Sequence, residues 1–415
     1  MSSQISSTVG YIQLIRENRN FRFLWLGQIV SLLGDWFNLI ASASLIAMLT
    51  DSGLAIGALF VVRMLAPFLV SPIAGVFADR YNRKQILIVT DIARALVVFC
   101  LLFVRDSGQV WLLYVLTAMQ LGISGFFFPT RTAILPDITT KDELGTANTI
   151  SSITWSVMLA LGAALGGLVS GTWGIYPAFI IDACTFLLSA IFILQINLTH
   201  MPVLDASQKT VSAAFEQYLD GLRYLRRKVD VLVICLHKPA QSLMLFSGIQ
   251  IAQVAIAEEV FVLGEGGGIG LGLMYGATGL GTGIGPVIAR QFTGDRDRDL
   301  RLALFMGYLI GGLGLALVAP LFNFGMVLFG TFLRGVGGGI IWVFSTQLLL
   351  HQVPGQVRGR VFSTEFALFT LMGAAGSAIA GVILDPLGIT NMIWLLAGIS
   401  SLPALLWLLW LKKKR

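Results

Sequence analysis

The sequence predicts an all-α membrane protein with twelve transmembrane helices in two six-helix pseudo-repeats. Three observations carry that expectation. The chain is 56% hydrophobic and 12% charged, with mean hydropathy +0.82, whereas a soluble domain carries about 25% charge. Apolar runs of about 20 residues recur without period-2 alternation, which selects membrane helices over a closed barrel. Basic residues collect in alternate connections, the pattern that sets orientation by positive charge.

In chain order, the apolar stretches place spans near 21–49, 54–76, 86–104, 110–128, 150–169, 176–195, 240–262, 272–290, 302–320, 324–349, 361–384 and 392–411. At roughly 20 residues each they use about 240 residues, leaving short connections. The seventh and eighth are the least sharply bounded, because Gly264 to Gly272 blurs the turn between them. With both termini cytoplasmic, Arg16, Arg19, Arg80, Arg83, Lys84, Arg131, Lys141, Arg223, Arg226, Arg227, Lys228, Arg296, Arg298, Arg358, Arg360 and the tail Lys412 to Arg415 fall inside, and only Arg105 falls in an outer loop. This sorting explains the net charge of +6 and excludes a nucleic-acid partner. Residues Met1 to Asn20 are polar and Phe21 opens the first span, so no cleavable leader is expected. The expected location is the bacterial inner (plasma) membrane.

The stretch Met201 to Asp230 is the longest internal polar segment. Phe215, Leu219, Leu222 and Leu225 recur there at helical spacing beside Arg223, Arg226 and Arg227, the pattern of an amphipathic helix lying on a membrane surface. It divides the chain into an N-terminal six-helix bundle (1–197), a cytoplasmic linker (198–230) and a C-terminal six-helix bundle (231–415). The two bundles echo each other. Ser71 to Arg80 aligns with Gly281 to Arg290, so that Gly75 meets Gly285 and Arg80 meets Arg290, while Asp79 meets Ala289. Parallel repeats of this kind imply a substrate path between the bundles near the midplane.

Between the second and third spans stands Gly75-Val76-Phe77-Ala78-Asp79-Arg80-Tyr81-Asn82-Arg83-Lys84. The pattern G-x-x-x-D-R-x-x-R-[RK] resembles the loop signature of the major facilitator superfamily of secondary transporters, with Asn82 where Gly is common. Phe128-Pro129-Thr130-Arg131-Thr132-Ala133-Ile134-Leu135-Pro136, Ala147-Asn148 and Val357 to Phe362 resemble the branch that holds macrolide efflux permeases and the enterobactin exporter. One feature departs from the exporter pattern: Gly162 is followed by Ala163, where exporters of the superfamily carry Gly-Pro. The resemblance implies a secondary active exporter of a small amphiphilic molecule by alternating access, with proton-coupled drug efflux as the main reading. A siderophore or metabolite exporter is the alternative within the class. A lipid flippase or a non-transporting membrane sensor is the alternative from another class. The implied partners are a small-molecule substrate, protons and membrane lipids, with a monomer as the working unit.

The residues themselves suggest a conformational latch. The free N–H groups at the start of the eleventh span make that helix end partly positive. Asp79 can accept from them, with Arg80, Arg83 and Lys84 holding it in place, Gly75 allowing close helix approach and Glu365 joining the network. Loss of Asp79 would then shift the population toward the inward-facing state.

Charges inside the membrane are costly and mark function or pairing. Asp35 lies about 16 Å into the first span and Arg63 roughly 20 Å from the same face. The depths agree within an arginine's reach, so the two can pair, and two readings stay open: Asp35 takes a proton or contacts cationic substrate, or the pair is structural. Asp91 and Arg94, at i and i+3, read as a structural pair. Asp182 reads as a hydrogen-bonded structural group. Arg334 is a candidate for an anionic substrate group, and Glu258 for the cavity mouth. Lys238, with His237 and Pro239, reads as a snorkelling lysine at the start of the seventh span. There is no Ser/His/Asp set with catalytic spacing and no GxxxxGK[ST] loop, so no enzyme is expected. Cys100, Cys184 and Cys235 form no CxxC or metal-ligand spacing; no metal or other cofactor is expected.

Overall fold

A computed structural model of the chain describes residues 10–198, 216, 219, 222–294 and 296–413. Most of the expected linker helix, Phe215 included, lies outside these residues. The described chain is helical: α1 (Tyr11–Glu17), α2 (Arg19–Leu49), α3 (Gly53–Arg80), α4 (Arg83–Cys100), α5 (Val110–Ile138), α6 (Lys141–Thr172) and α7 (Ile175–Leu194) precede the linker. After it come α8 (Val229–Val260), α9 (Gly268–Thr293), α10 (Asp297–Val318), α11 (Phe324–Gln352), α12 (Gly355–Ile399) and α13 (Ser401–Lys413). Among the described residues, eleven stretches are long and apolar enough to cross a membrane. The protein is therefore an all-α polytopic membrane protein.

Side-chain caps fix where several helices begin, by satisfying N–H groups that have no partner within the helix. Asn18 caps α2, Ser52 caps α3 and Asn323 caps α11. Thr140 and Glu143 close a reciprocal capping box on α6. Asn82, the departure from the loop signature, has φ −61° and caps α4 by accepting from the Gln85 N–H. A left-handed glycine is not needed there, so the substitution costs nothing in backbone strain.

Two helices are irregular. In α8 the regular ladder widens into π-turns at Ser242–Phe246 and Ile256–Val260, a feature that often marks functional positions. The last apolar stretch, Arg360–Lys413, is 54 residues long, far more than the roughly 20 that cross a bilayer. It breaks at Gly388, whose φ of 73° and ψ of 162° no helix shares. The expected boundary between 384 and 392 falls there. The other expected spans lie within the observed helices, apart from small overruns at their ends, but α5, α6 and α8 extend well beyond them. The extra turns of α5 and α6 carry polar residues that hydropathy alone does not register, whereas those of α8 are largely apolar, from Val229 to Leu236.

Helices α2 to α7 pack among themselves, and α8 to α13 do likewise. Two pairings make the most extensive bridges between the groups, α3 with α12 and α6 with α9, while α2 also meets α8 and α9. Both bridges are tightest at the face remote from the chain termini. A Cβ on Gly57 would lie 2.8 Å from the Gly381 Cα, and one on Gly167 would lie 2.5 Å from the Gly272 Cα. Small residues here let helix backbones touch. The Gly53 N–H also donates to Asp385 Oδ1 at 2.8 Å. Toward the termini the bridges open: Gly283 has no heavy atom near its Cβ position, and Trp155, Val287 and Phe366 are exposed.

Candidate functional site

Three aspartates and an arginine meet inside the first helix group. Arg94 on α4 is fully buried and forms an ion pair with Asp91 one turn earlier. Its guanidinium sits 4.3 Å from the Phe127 ring centroid and 4.1 Å from that of Phe186, and it donates to Ser124 Oγ (3.3 Å) and Ser31 Oγ (3.4 Å). An arginine held by a carboxylate, two aromatic faces and two hydroxyls is anchored. The expected Asp91–Arg94 pair is present in this geometry.

Asp35 completes the group from α2. Its Oδ2 lies 3.9 Å from Arg94 Nη1, and Gln120 Nε2 donates to Oδ1 at 3.4 Å. Asp91 is fully enclosed, whereas the Asp35 side chain is 21% exposed. It lines a cavity of about 260 Å³ together with Gln28, Arg131, Asn148, Ser151 and Trp155. On the cavity wall Arg131 donates to Gln28 and, at 3.0 Å, to Ser151 Oγ.

The Asp35–Arg63 pairing is corrected. No ion pair within 4.0 Å joins these two among the described residues; Arg94 is the cation beside Asp35. Depth along a helix does not fix the direction in which each side chain leaves it. Arg63 Nη1 is buried without a hydrogen-bond partner. The side chain lies within electrostatic range of Asp35, Asp182 and Tyr275. Tyr275 belongs to α9 in the second helix group and packs on Trp36 of α2 with ring centroids 5.8 Å apart. Arg63 thus stands near the junction of the groups.

Asp182 is fully buried against Gly34, where a Cβ would come 2.4 Å from its Oδ1. Asn38 faces it within hydrogen-bonding range, though without well-aligned geometry at either carboxylate oxygen. Arg334 is buried and donates to the Leu245 carbonyl (3.2 Å) and Thr278 Oγ1 (2.8 Å). These bonds tie α11 to α8 and α9, while Arg334 Nε has no hydrogen-bond partner. Glu258 lies half-buried in the second π-turn of α8, at the face remote from the termini.

The latch residues divide. Gly75, Asp79 and Arg80 occupy the last turns of α3, and their side chains lie outside the described residues. Arg83 Nη1 donates to Asp137 Oδ2 (2.7 Å) and the Ala133 carbonyl (3.0 Å), and Lys84 Nζ to the Leu194 carbonyl (2.8 Å). These contacts remain within the first helix group. Glu365 is placed differently from the expectation: its Oε2 accepts from Lys238 Nζ at 2.8 Å, so it pairs with α8 and not with the loop. Lys238 is correspondingly buried and not a snorkelling residue. Its position within the apolar run after Val231 was the one signal available in the sequence.

The long helices form two groups joined mainly through α3–α12 and α6–α9, with a cavity lined by α2, α5 and α6 of the first group. A sequence profile of the Major Facilitator Superfamily matches residues 24–289, and the chain belongs to that family. It is 27% identical to YfiS of Bacillus subtilis, an uncharacterised MFS-type transporter, over 91% of this chain and 89% of the relative. It is 25% identical to the candidate bacilysin exporter BacE of the same species, over 88% of this chain and 89% of BacE. It is 22% identical to the enterobactin exporter EntS of Escherichia coli, over 91% of this chain and 87% of EntS. The fold matches the crystal structure of the nucleoside transporter NupG with a TM-score of 0.72 at 13% identity, covering 94% of this chain and 98% of NupG. Family membership makes the protein a transporter and not an enzyme.

Proposed function

We propose that this protein exports a small amphiphilic metabolite from the bacterial cytoplasm by alternating access, driven by proton antiport. One observation carries the reading: of the three clustered aspartates, Asp35 is the one that reaches the cavity. Arg94 and Asp91 neutralise each other in the wall, which leaves Asp35 beside the cavity with an ion partner at 3.9 Å. A carboxylate so placed can exchange a proton for contact with a cationic group. Arg63, unpaired near the junction, suits an anionic group on the same cargo. The relatives BacE and EntS are named as exporters of bacilysin and enterobactin, which favours a metabolite over a drug.

Twelve spans in two six-helix repeats follow if the break at Gly388 is the turn between the last two, with bundles at 1–197 and 231–415 joined by the linker 198–230. Both termini are then cytoplasmic, in keeping with the basic residues. The close-packed glycine face is outer, the open face is inner, and the conformation is inward-facing. In the outward-facing state Asp79 of the loop signature would engage the start of α12, with Gly75 allowing the approach and Arg80, Arg83 and Lys84 supporting it.

The reading is tested by comparing small molecules in spent medium of a host expressing the parent or Asp35→Asn. The parent should release at least one amphiphilic metabolite until its level outside exceeds that in the cytoplasm, whereas Asp35→Asn should stop at equal levels. Equal release would remove Asp35 from the mechanism, and lipid translocation without metabolite release would favour a flippase.

A further inference from the structure

The second helix group holds a buried ion pair that the transport reading does not use. Lys238 of α8 and Glu365 of α12 are 127 residues apart in sequence and joined at 2.8 Å. Their side chains are 7% and 3% exposed. Two aromatic rings cover the ammonium, with centroids 4.7 Å away for Trp342 of α11 and 5.8 Å for Phe362 of α12. A buried pair repays its desolvation only when the remaining acceptors and donors are also satisfied. Here they are not: Glu365 Oε1 is buried without a hydrogen-bond partner. The titratable groups facing this carboxylate are Lys238 and the Cys235 thiol, both from α8.

We propose that Lys238 and Glu365 form a proton-binding site in the second helix group, in which a proton taken up on Glu365 Oε1 frees the Lys238 ammonium. The proton comes from water at whichever face is open. Its arrival converts a neutral pair into a single positive charge, and its departure restores the pair. The ion pair is a tie between α8 and α12, so its protonation state acts on the packing of α12. That helix also forms one of the two most extensive bridges to the first group, through α3. The π-turn of α8 begins at Ser242, one turn beyond Lys238. Proton uptake therefore acts at a point where α8 departs from the regular ladder and α12 meets the other half. A pair serving only to hold two helices together has no use for the unsatisfied oxygen.

The inference rests on the chain being a gradient-driven transporter, but its test requires no cargo. Purified protein in liposomes is titrated from about pH 5 to 9 while the infrared C=O band of protonated carboxyl groups is recorded, in an Asp35→Asn background that removes the carboxylate at the cavity. A titrating band present in that protein and missing after Glu365→Gln is expected. Lys238→Met removes the cation that favours the carboxylate, so the band should titrate at higher pH by about one unit or more. Lys238→Arg keeps the charge and should leave the midpoint within about half a unit of the parent's. Identical titrations with and without Glu365→Gln overturn the proposal, as does a midpoint indifferent to Lys238→Met. Monodisperse elution of each variant verifies that it is folded. A cargo assay that fails while the band titrates as expected would count against the export reading alone.

Discussion

The Asp385 carboxylate accepts a hydrogen bond from the Gly53 N–H at 2.8 Å, tying the far end of α12 to the first turn of α3. The contact is a carboxylate at a helix N-terminus, where unsatisfied N–H groups and the helix dipole favour negative charge. It has the same chemistry as the latch proposed for Asp79, applied at the opposite face. Asp385→Asn removes the charge but keeps the acceptor. The closed form of this face should lose about 0.5–1 kcal/mol, a roughly two- to fivefold shift toward its opening. Distances between spin labels across the face, measured in parent and variant, check this; an unchanged distribution would show that Asp385 bears no load.

Glycine contacts at the same face should matter more. Cβ atoms at Gly57 and Gly167 would meet backbone at 2.8 and 2.5 Å, and a backbone cannot rotate away as a side chain can. Gly57→Val or Gly167→Val should disfavour closure by about 1–3 kcal/mol, in the range of overpacked sites. The expected signature is increased labelling of an introduced cysteine in the newly opened face, with little change in the amount of folded protein.

Arg94 and Asp35 should separate stability from transport. Arg94→Met leaves the Asp91 carboxylate buried without its cation, and breaking a buried pair costs about 3–5 kcal/mol. Loss of folded protein is expected. Asp35→Asn leaves the Arg94–Asp91 pair intact and should shift thermal stability by no more than about 1 kcal/mol while abolishing accumulation against a gradient. Thermal unfolding in detergent and vesicle transport measure the two effects independently.

A charge exchange between Asp35 and Arg63 should not restore transport, because Arg94 and not Arg63 is the ion partner of Asp35. Asp35→Arg would instead bring a second guanidinium against Arg94. Rescue in the double variant, assayed as metabolite release, would reinstate the pair that depth alone suggested.

Asp79→Asn should raise the inward-facing fraction by weakening the latch at the start of α12. Cysteine labelling from the cytoplasmic side is the readout, and unchanged labelling would refute the latch.

Much of the fold was legible because each span must bury its backbone polar groups within one apolar helix. The pairing of charges was less so. Asp91 and Arg94 share one helix, and i,i+3 spacing alone brings them together. Asp35 and Arg63 lie on different helices at similar depth, and depth fixes neither rotation nor neighbour. The contact between Lys238 and Glu365 depends on how α8 packs on α12, which neither span shows by itself. The same holds for Asp385, whose partner Gly53 is 332 positions away.

The most direct test of the central claim uses inverted membrane vesicles loaded with parent or Asp35→Asn, with a metabolite identified by the release comparison. Under an imposed pH gradient the parent should concentrate the metabolite inside the vesicles and lose it when a protonophore is added. Asp35→Asn should reach equal concentrations on both sides and stop there. Protonophore-sensitive accumulation by Asp35→Asn at the parent's level would contradict the account.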